Sequence, residues 1–137
     1  MSDLRLQLIL LVNPDVTMAG ELAFALQHLG FKVISAAEGQ QAIDEIYRRP
    51  PDVIIMDEGT CGSNGDDLCH RIKDVCGAPI IVTGRDQKET DGIDLLKMGA
   101  NAYLPSPLRM NELLSRVRSL LRHTNGNLEE CEVTEFA

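Results

Sequence analysis

Short apolar runs alternate with longer amphipathic stretches along most of the chain. Residues 7–12 hold five consecutive hydrophobic positions, Leu8 to Val12, the composition of a strand buried on both faces of a sheet. Asn13-Pro14-Asp15 ends that run. Over 16–29, Met18, Leu22, Ala25, Leu26 and Leu29 recur at helical spacing, and Gly30 supplies the stop. The pattern then repeats. Residues 31–35 read as a second strand, and 40–48 as a helix with Ala42, Ile43 and Ile46 inward, closed by Pro50-Pro51. Residues 53–56 read as a third strand with Asp57 at its end, 58–65 as a loop with three glycines, and 66–75 as a helix. Residues 79–82 form a fourth strand tipped by Thr83, and 88–98 a fourth helix ended by Gly99. Residues 102–104 make a short fifth strand, and 110–122 a last helix with Leu113, Leu114, Val117, Leu120 and Leu121 apolar.

Strands alternating with helices predict an α/β protein with a parallel sheet covered on both faces. Right-handed crossovers make it doubly wound, with the flavodoxin-like strand order 2-1-3-4-5 and five strands. One domain over residues 1–123 accounts for this pattern. Residues 124–137 are acidic and without a period, and read as a tail or linker.

Composition narrows the function classes. Apolar residues are 44% of the 137, enough for a packed core, and no apolar run approaches the length of a membrane span. The first residues lack the basic start and long apolar stretch of a signal peptide, so a cytoplasmic protein with no membrane partner is expected. A net charge of −8 argues against nucleic-acid binding by this domain. The four cysteines, Cys61, Cys69, Cys76 and Cys131, contain no CxxC pair and read as free thiols.

In an open parallel sheet, ligands bind beyond the carboxyl ends of the strands, where strand order reverses. Those ends present Asn13, Pro14 and Asp15 from the first strand, Asp57 from the third, Thr83 from the fourth and Ser106 after the fifth. One carboxylate among hydroxyls makes a small reactive site. An Asp in this place is also a common loop or helix cap.

Five stretches in order resemble the receiver domain of two-component response regulators over about residues 6–123. They are Pro51-Asp52-Val53-Ile54-Ile55-Met56-Asp57, then Gly62-Ser63-Asn64-Gly65, then Pro79-Ile80-Ile81-Val82-Thr83-Gly84, then the run from Gly99 to Leu108, and the helix from Glu112 to Arg122. The last is similar to the final helix of receivers joined to winged-helix DNA-binding domains. The resemblance implies that Asp57 accepts a phosphoryl group from a histidine kinase or phosphotransfer protein, and that Thr83 and Tyr103 act together as a switch. It implies a magnesium ion held by acidic side chains after the first strand, by Asp57, and by the carbonyl of Gly59. It implies a signalling module and not an enzyme in the turnover sense, with homodimerisation through the fourth helix, fifth strand and last helix. DNA becomes a partner only where a winged-helix domain follows.

The sequence departs from that pattern where charge is needed. Asn13 and Pro14 occupy the acidic-pair positions, and Asp15 lies one step further on. Ser106 stands where the family has a lysine, Cys61 where it has a proline, and Gly84 where alanine is frequent. Phosphoryl transfer depends on neutralising charge, so magnesium binding is expected to be weak or absent. At the dimer face Glu112 and Arg116 match, while Lys97, Ala102 and Gly92 do not. Three readings follow: an atypical receiver phosphorylated on Asp57, a pseudo-receiver acting only through protein contacts, and an unrelated flavodoxin-like nucleotide or flavin binder. The third lacks a glycine-rich phosphate loop after the first strand.

Overall fold

The computed structural model describes residues 7–61, 68–84 and 99–125. Its elements in chain order are β1 (Leu8–Val12), α1 (Val16–His28), β2 (Lys32–Ala36), α2 (Gly39–Arg48), β3 (Val53–Asp57), α3 (Glu58–Cys61), α4 (Leu68–Val75), β4 (Ile80–Thr83), β5 (Ala102–Leu104) and α5 (Met110–Asn125). All strand pairs are parallel, in the order β2-β1-β3-β4-β5. This is the doubly wound sheet that the alternating pattern predicts.

Burial at every position of β1, β3 and β4 explains their unbroken hydrophobicity. Successive side chains point to opposite faces, and two cores result. Leu10, Val12, Ile54, Met56, Ile80 and Val82 face α2 and α4, meeting Ala42, Ile43, Ile46, Leu68, Cys69 and Ile72. Ile9, Leu11, Val53, Ile55 and Ile81 face α1 and α5, meeting Leu22, Leu26, Leu113, Val117 and Leu121. The edge strand β2 is covered less completely, with Lys32 and Ser35 exposed.

Several boundaries differ from the sequence reading. α1 buries Ala19, Leu22 and Leu26, whereas Met18 and Leu29 are exposed. The helix stops at His28, and its end is a left-handed cap: Gly30 at φ 101° donates to Gln27 O and Phe31 donates to Leu26 O. Leu29 is thereby turned away from the core. The expected loop after β3 begins as one helical turn, α3. α5 continues three residues past the predicted end, to Asn125. The glycine-bearing stretch 62–65 and the predicted helix 88–98 lie outside the described residues. Of the cysteines, Cys69 is buried and Cys76 half-buried, and neither is in a disulfide.

Side chains close the amino ends of the strands. Asp52 Oδ2 accepts from Leu8 N at 2.7 Å, tying β3 to the start of β1. Asn101 Oδ1 accepts from Ile80 N at 2.9 Å and from Lys73 Nζ at 3.0 Å, and Asn101 N donates to Ile80 O. The amino edge is thus stitched shut, and the carboxyl edge is left for a site. Among the described residues, no helix is long and apolar enough to cross a membrane.

Leu26 is fully buried between α1 and the sheet. Leu26→Ala is expected to cost about 2–5 kcal/mol of unfolding free energy through lost burial and a residual cavity. Urea titration checks this as a lower midpoint with an unchanged slope.

Candidate functional site at the carboxyl edge of the sheet

Strand register assembles the site. β3 and β4 pair Asp57 with Thr83, and β4 and β5 pair Thr83 with Leu104. β1 and β3 pair Val12 with Met56, so Asn13 emerges beside Asp57. Asn13, Asp57 and Thr83 are the buried polar or charged residues among those described, at 6%, 8% and 5% exposure. Burying polar groups costs free energy unless they are hydrogen-bonded or in use. Their convergence on one edge singles it out as the candidate site.

Asp57 is held by its own turn, Oδ2 accepting from Gly59 N at 2.9 Å. Asn13 Oδ1 accepts from Asp15 N at 2.9 Å, and Asn13 N donates to Ala36 O. The Asn13-Pro14-Asp15 turn thus turns its amide oxygen back on itself. Asp15 is exposed and caps α1, its Oδ1 accepting from Thr17 N at 3.0 Å and Met18 N at 3.1 Å. Ser106 is half-buried between Pro105 and Pro107, and its peptide bond to Pro107 is cis.

The donor set fits a hard cation only in part. Magnesium takes six oxygens and keeps several waters. The edge offers the Asp57 carboxylate, the neutral amide of Asn13 and the backbone carbonyl of Gly59. Among the described residues, no three His, Cys, Asp or Glu side chains come together as a metal cluster.

Tyr103 and Glu58 are joined in a way the sequence did not announce. Tyr103 Oη donates to Glu58 Oε1 at 3.0 Å. The ring packs half-buried against the core on the α2–α4 face. Glu58 follows Asp57 directly, in the turn read from sequence as a loop. Adjacency to Asp57 was the available signal, but the contact spans 45 residues of chain.

The face expected to make protein contacts is visible in part. Glu112 and Arg116 are exposed on α5. With Tyr103, Leu104, Pro105 and Asn111 they line an open groove of about 600 Å³. Lys97 lies outside the described residues.

Residues 9–118 match the family model of the response regulator receiver domain. The chain belongs to that family. It is similar to the sensory transduction protein RegX3 of Mycolicibacterium smegmatis, at 32% identity over 120 residues, covering 87% of this chain and 52% of that protein. The chain therefore spans about half the length of the curated relatives it matches. A solved putative response regulator from Chloroflexus aurantiacus superposes with a TM-score of 0.78 at 32% identity, covering 85% of this chain and 98% of that one. A two-component response regulator from Clostridium difficile superposes at 0.80 with 25% identity, covering 88% and 99%.

Receiver domains are signalling modules, they normally interact with histidine kinases or phosphotransfer proteins, and they typically bind Mg²⁺ at the phosphorylation site. In this receiver, Asp57 stands at the end of β3, where the family's acceptor is expected.

The cap identifies one cost in advance. Asp15→Ala removes the acceptor for two amide groups of α1 and is expected to lower stability by about 0.5–2 kcal/mol. Chemical denaturation of the variant beside the parent measures this.

Proposed function

We propose that this receiver takes a phosphoryl group onto Asp57 from the phosphohistidine of a histidine kinase or phosphotransfer protein, with magnesium bound weakly or not at all. The burial of Asp57, Thr83 and Asn13 together at the carboxyl edge carries the reading. A carboxylate oxygen of Asp57 attacks phosphorus as the phosphorus–nitrogen bond of the donor breaks. The electron pair leaves with the imidazole, and Asp57 becomes an acyl phosphate.

Such a transfer is mostly a matter of positioning and charge stabilisation. The Thr83 hydroxyl, one strand from Asp57, would donate to a phosphoryl oxygen, and Ser106 would offer a second hydroxyl. Both are neutral. A hydroxyl supplies a hydrogen bond where the family's lysine supplies a full charge. Asn13 replaces a carboxylate at the metal position, and Asp15 has at least one oxygen engaged by the cap. The cation would be held by Asp57, the Gly59 carbonyl, Asn13 and water. When bound, it would neutralise charge on the phosphoryl oxygens.

The second reading is a pseudo-receiver that signals by protein contact alone. Tyr103, already hydrogen-bonded to Glu58, favours it. Its output surface would be the groove of Tyr103, Glu112 and Arg116, serving a partner protein or a second copy of the receiver, with Lys97, outside the described residues, as a further contact expected from the sequence. In a longer protein with a winged-helix domain after α5, transcription would be the output. DNA would be bound by that domain and not by this acidic one, and the whole would work in the cytoplasm.

Incubation with acetyl phosphate, with and without magnesium, followed by intact mass measurement, tests the first reading. One phosphoryl adduct that vanishes in Asp57→Asn is the expected result. A folded protein with no adduct under either condition removes that reading and leaves the second. Restoring a carboxylate with Asn13→Asp is expected to tighten magnesium binding roughly tenfold, equivalent to about 1.4 kcal/mol, as read by titration calorimetry.

A further inference from the structure

Gly84 follows Thr83 at the end of β4, and its N–H donates to Leu104 O at 2.8 Å. A methyl group added at Gly84 would lie inside van der Waals contact with the Tyr103 hydroxyl. It would also lie 3.1 Å from Tyr103 Cζ and 3.3 Å from Pro105 Cα. The space of the missing side chain is occupied by the tyrosine. From the other side, Glu58 accepts the hydrogen bond of the same hydroxyl. Glycine thus removes the obstacle to one ring position, and glutamate adds an attraction to it. A hydroxyl donating to a carboxylate is among the stronger hydrogen bonds, because the acceptor is charged.

We infer that Glu58 and Gly84 form a latch that holds the Tyr103 ring inward in the unphosphorylated protein. The contact face along β5 and α5 is thereby preset without phosphate on Asp57. The inference rests on the reading above that this face carries the output. A phosphoryl group shifts such an equilibrium only as far as it binds the two ring positions differently. With the ring already inward, phosphorylation of Asp57 has little left to shift at Tyr103. Two residues that flank the site in sequence, and take no part in transfer, would then set how strongly Tyr103 responds to it.

The chain has two tyrosines and no tryptophan, and Tyr47 is 70% exposed on α2. Tyr47→Phe therefore leaves Tyr103 as the one tyrosine to observe. In that background, proton NMR of the unphosphorylated protein is expected to show cross-relaxation between the Tyr103 ring and the Gly84 α-protons. Glu58→Gln, which keeps an acceptor oxygen, should retain it. Glu58→Ala should weaken it, and Gly84→Ala should abolish contact between the ring and residue 84 while the strand cross-peaks persist. Absence of the contact in the parent protein overturns the latch, as does its survival unchanged in both alanine variants. The acetyl phosphate experiment decides the acceptor role separately. An adduct without the ring contact sinks the latch alone, and the ring contact without an adduct sinks the acceptor reading alone.

Discussion

The site depends on β3 being hydrogen-bonded between β1 and β4 in one register. A strand buried on both faces has no water to satisfy its backbone, so its amides and carbonyls must pair with neighbours. A slip of one residue would exchange the Ile54–Met56 face with the Val53–Ile55 face. Each face already meets a filled core. Packing on both sides therefore locks the pairing of Asp57 with Thr83. The acidic group and the hydroxyl are brought together by hydrophobic constraint, with no direct bond between them required.

The two ends of the sheet are treated differently. At the amino edge, Asp52 and Asn101 spend their side chains on backbone amides of neighbouring strands. At the carboxyl edge, Asp57 is held by the backbone of its own turn, and Asn13 binds within its own loop. Local hydrogen bonds of this kind help fix a side chain at the start of the loop that carries it. Asp15 shows the same economy, because a carboxylate that caps a helix stabilises α1 at its first turn. Of the two aspartates at this edge, Asp57 is buried and Asp15 is exposed as the cap of α1.

Tyr103 links that edge to the surface where contacts are expected. Its ring touches the core, its hydroxyl reaches Glu58 beside Asp57, and it lines the groove with Glu112 and Arg116. Packed interiors do not deform continuously, so a ring in such a place occupies discrete positions. What biases it is local chemistry: the carboxylate of Glu58 and the missing methyl of Gly84. Both lie next to Asp57 and Thr83 in the chain, which makes the aromatic position a neighbour of the candidate site.

Strand identity, strand order and the place of Asp57 at the end of β3 were legible in the sequence, because buried parallel strands leave continuous Val, Ile and Leu runs and because strand-to-helix alternation constrains topology. That Asn13, Pro14 and Ser106 carry no charge was equally plain, since side-chain identity is visible without coordinates. Faces of α1 were read less well. Met18 and Leu29 fit the helical period, yet both are exposed, Leu29 at the cap that Gly30 closes. The role of Asp15 as a cap, and the contact of Tyr103 with Glu58 above Gly84, were decided by tertiary structure. A hydrophobic period records which residues avoid water. A hydrogen bond between residues 45 apart leaves no such record, because either partner alone is an ordinary exposed polar side chain until the fold places the other against it.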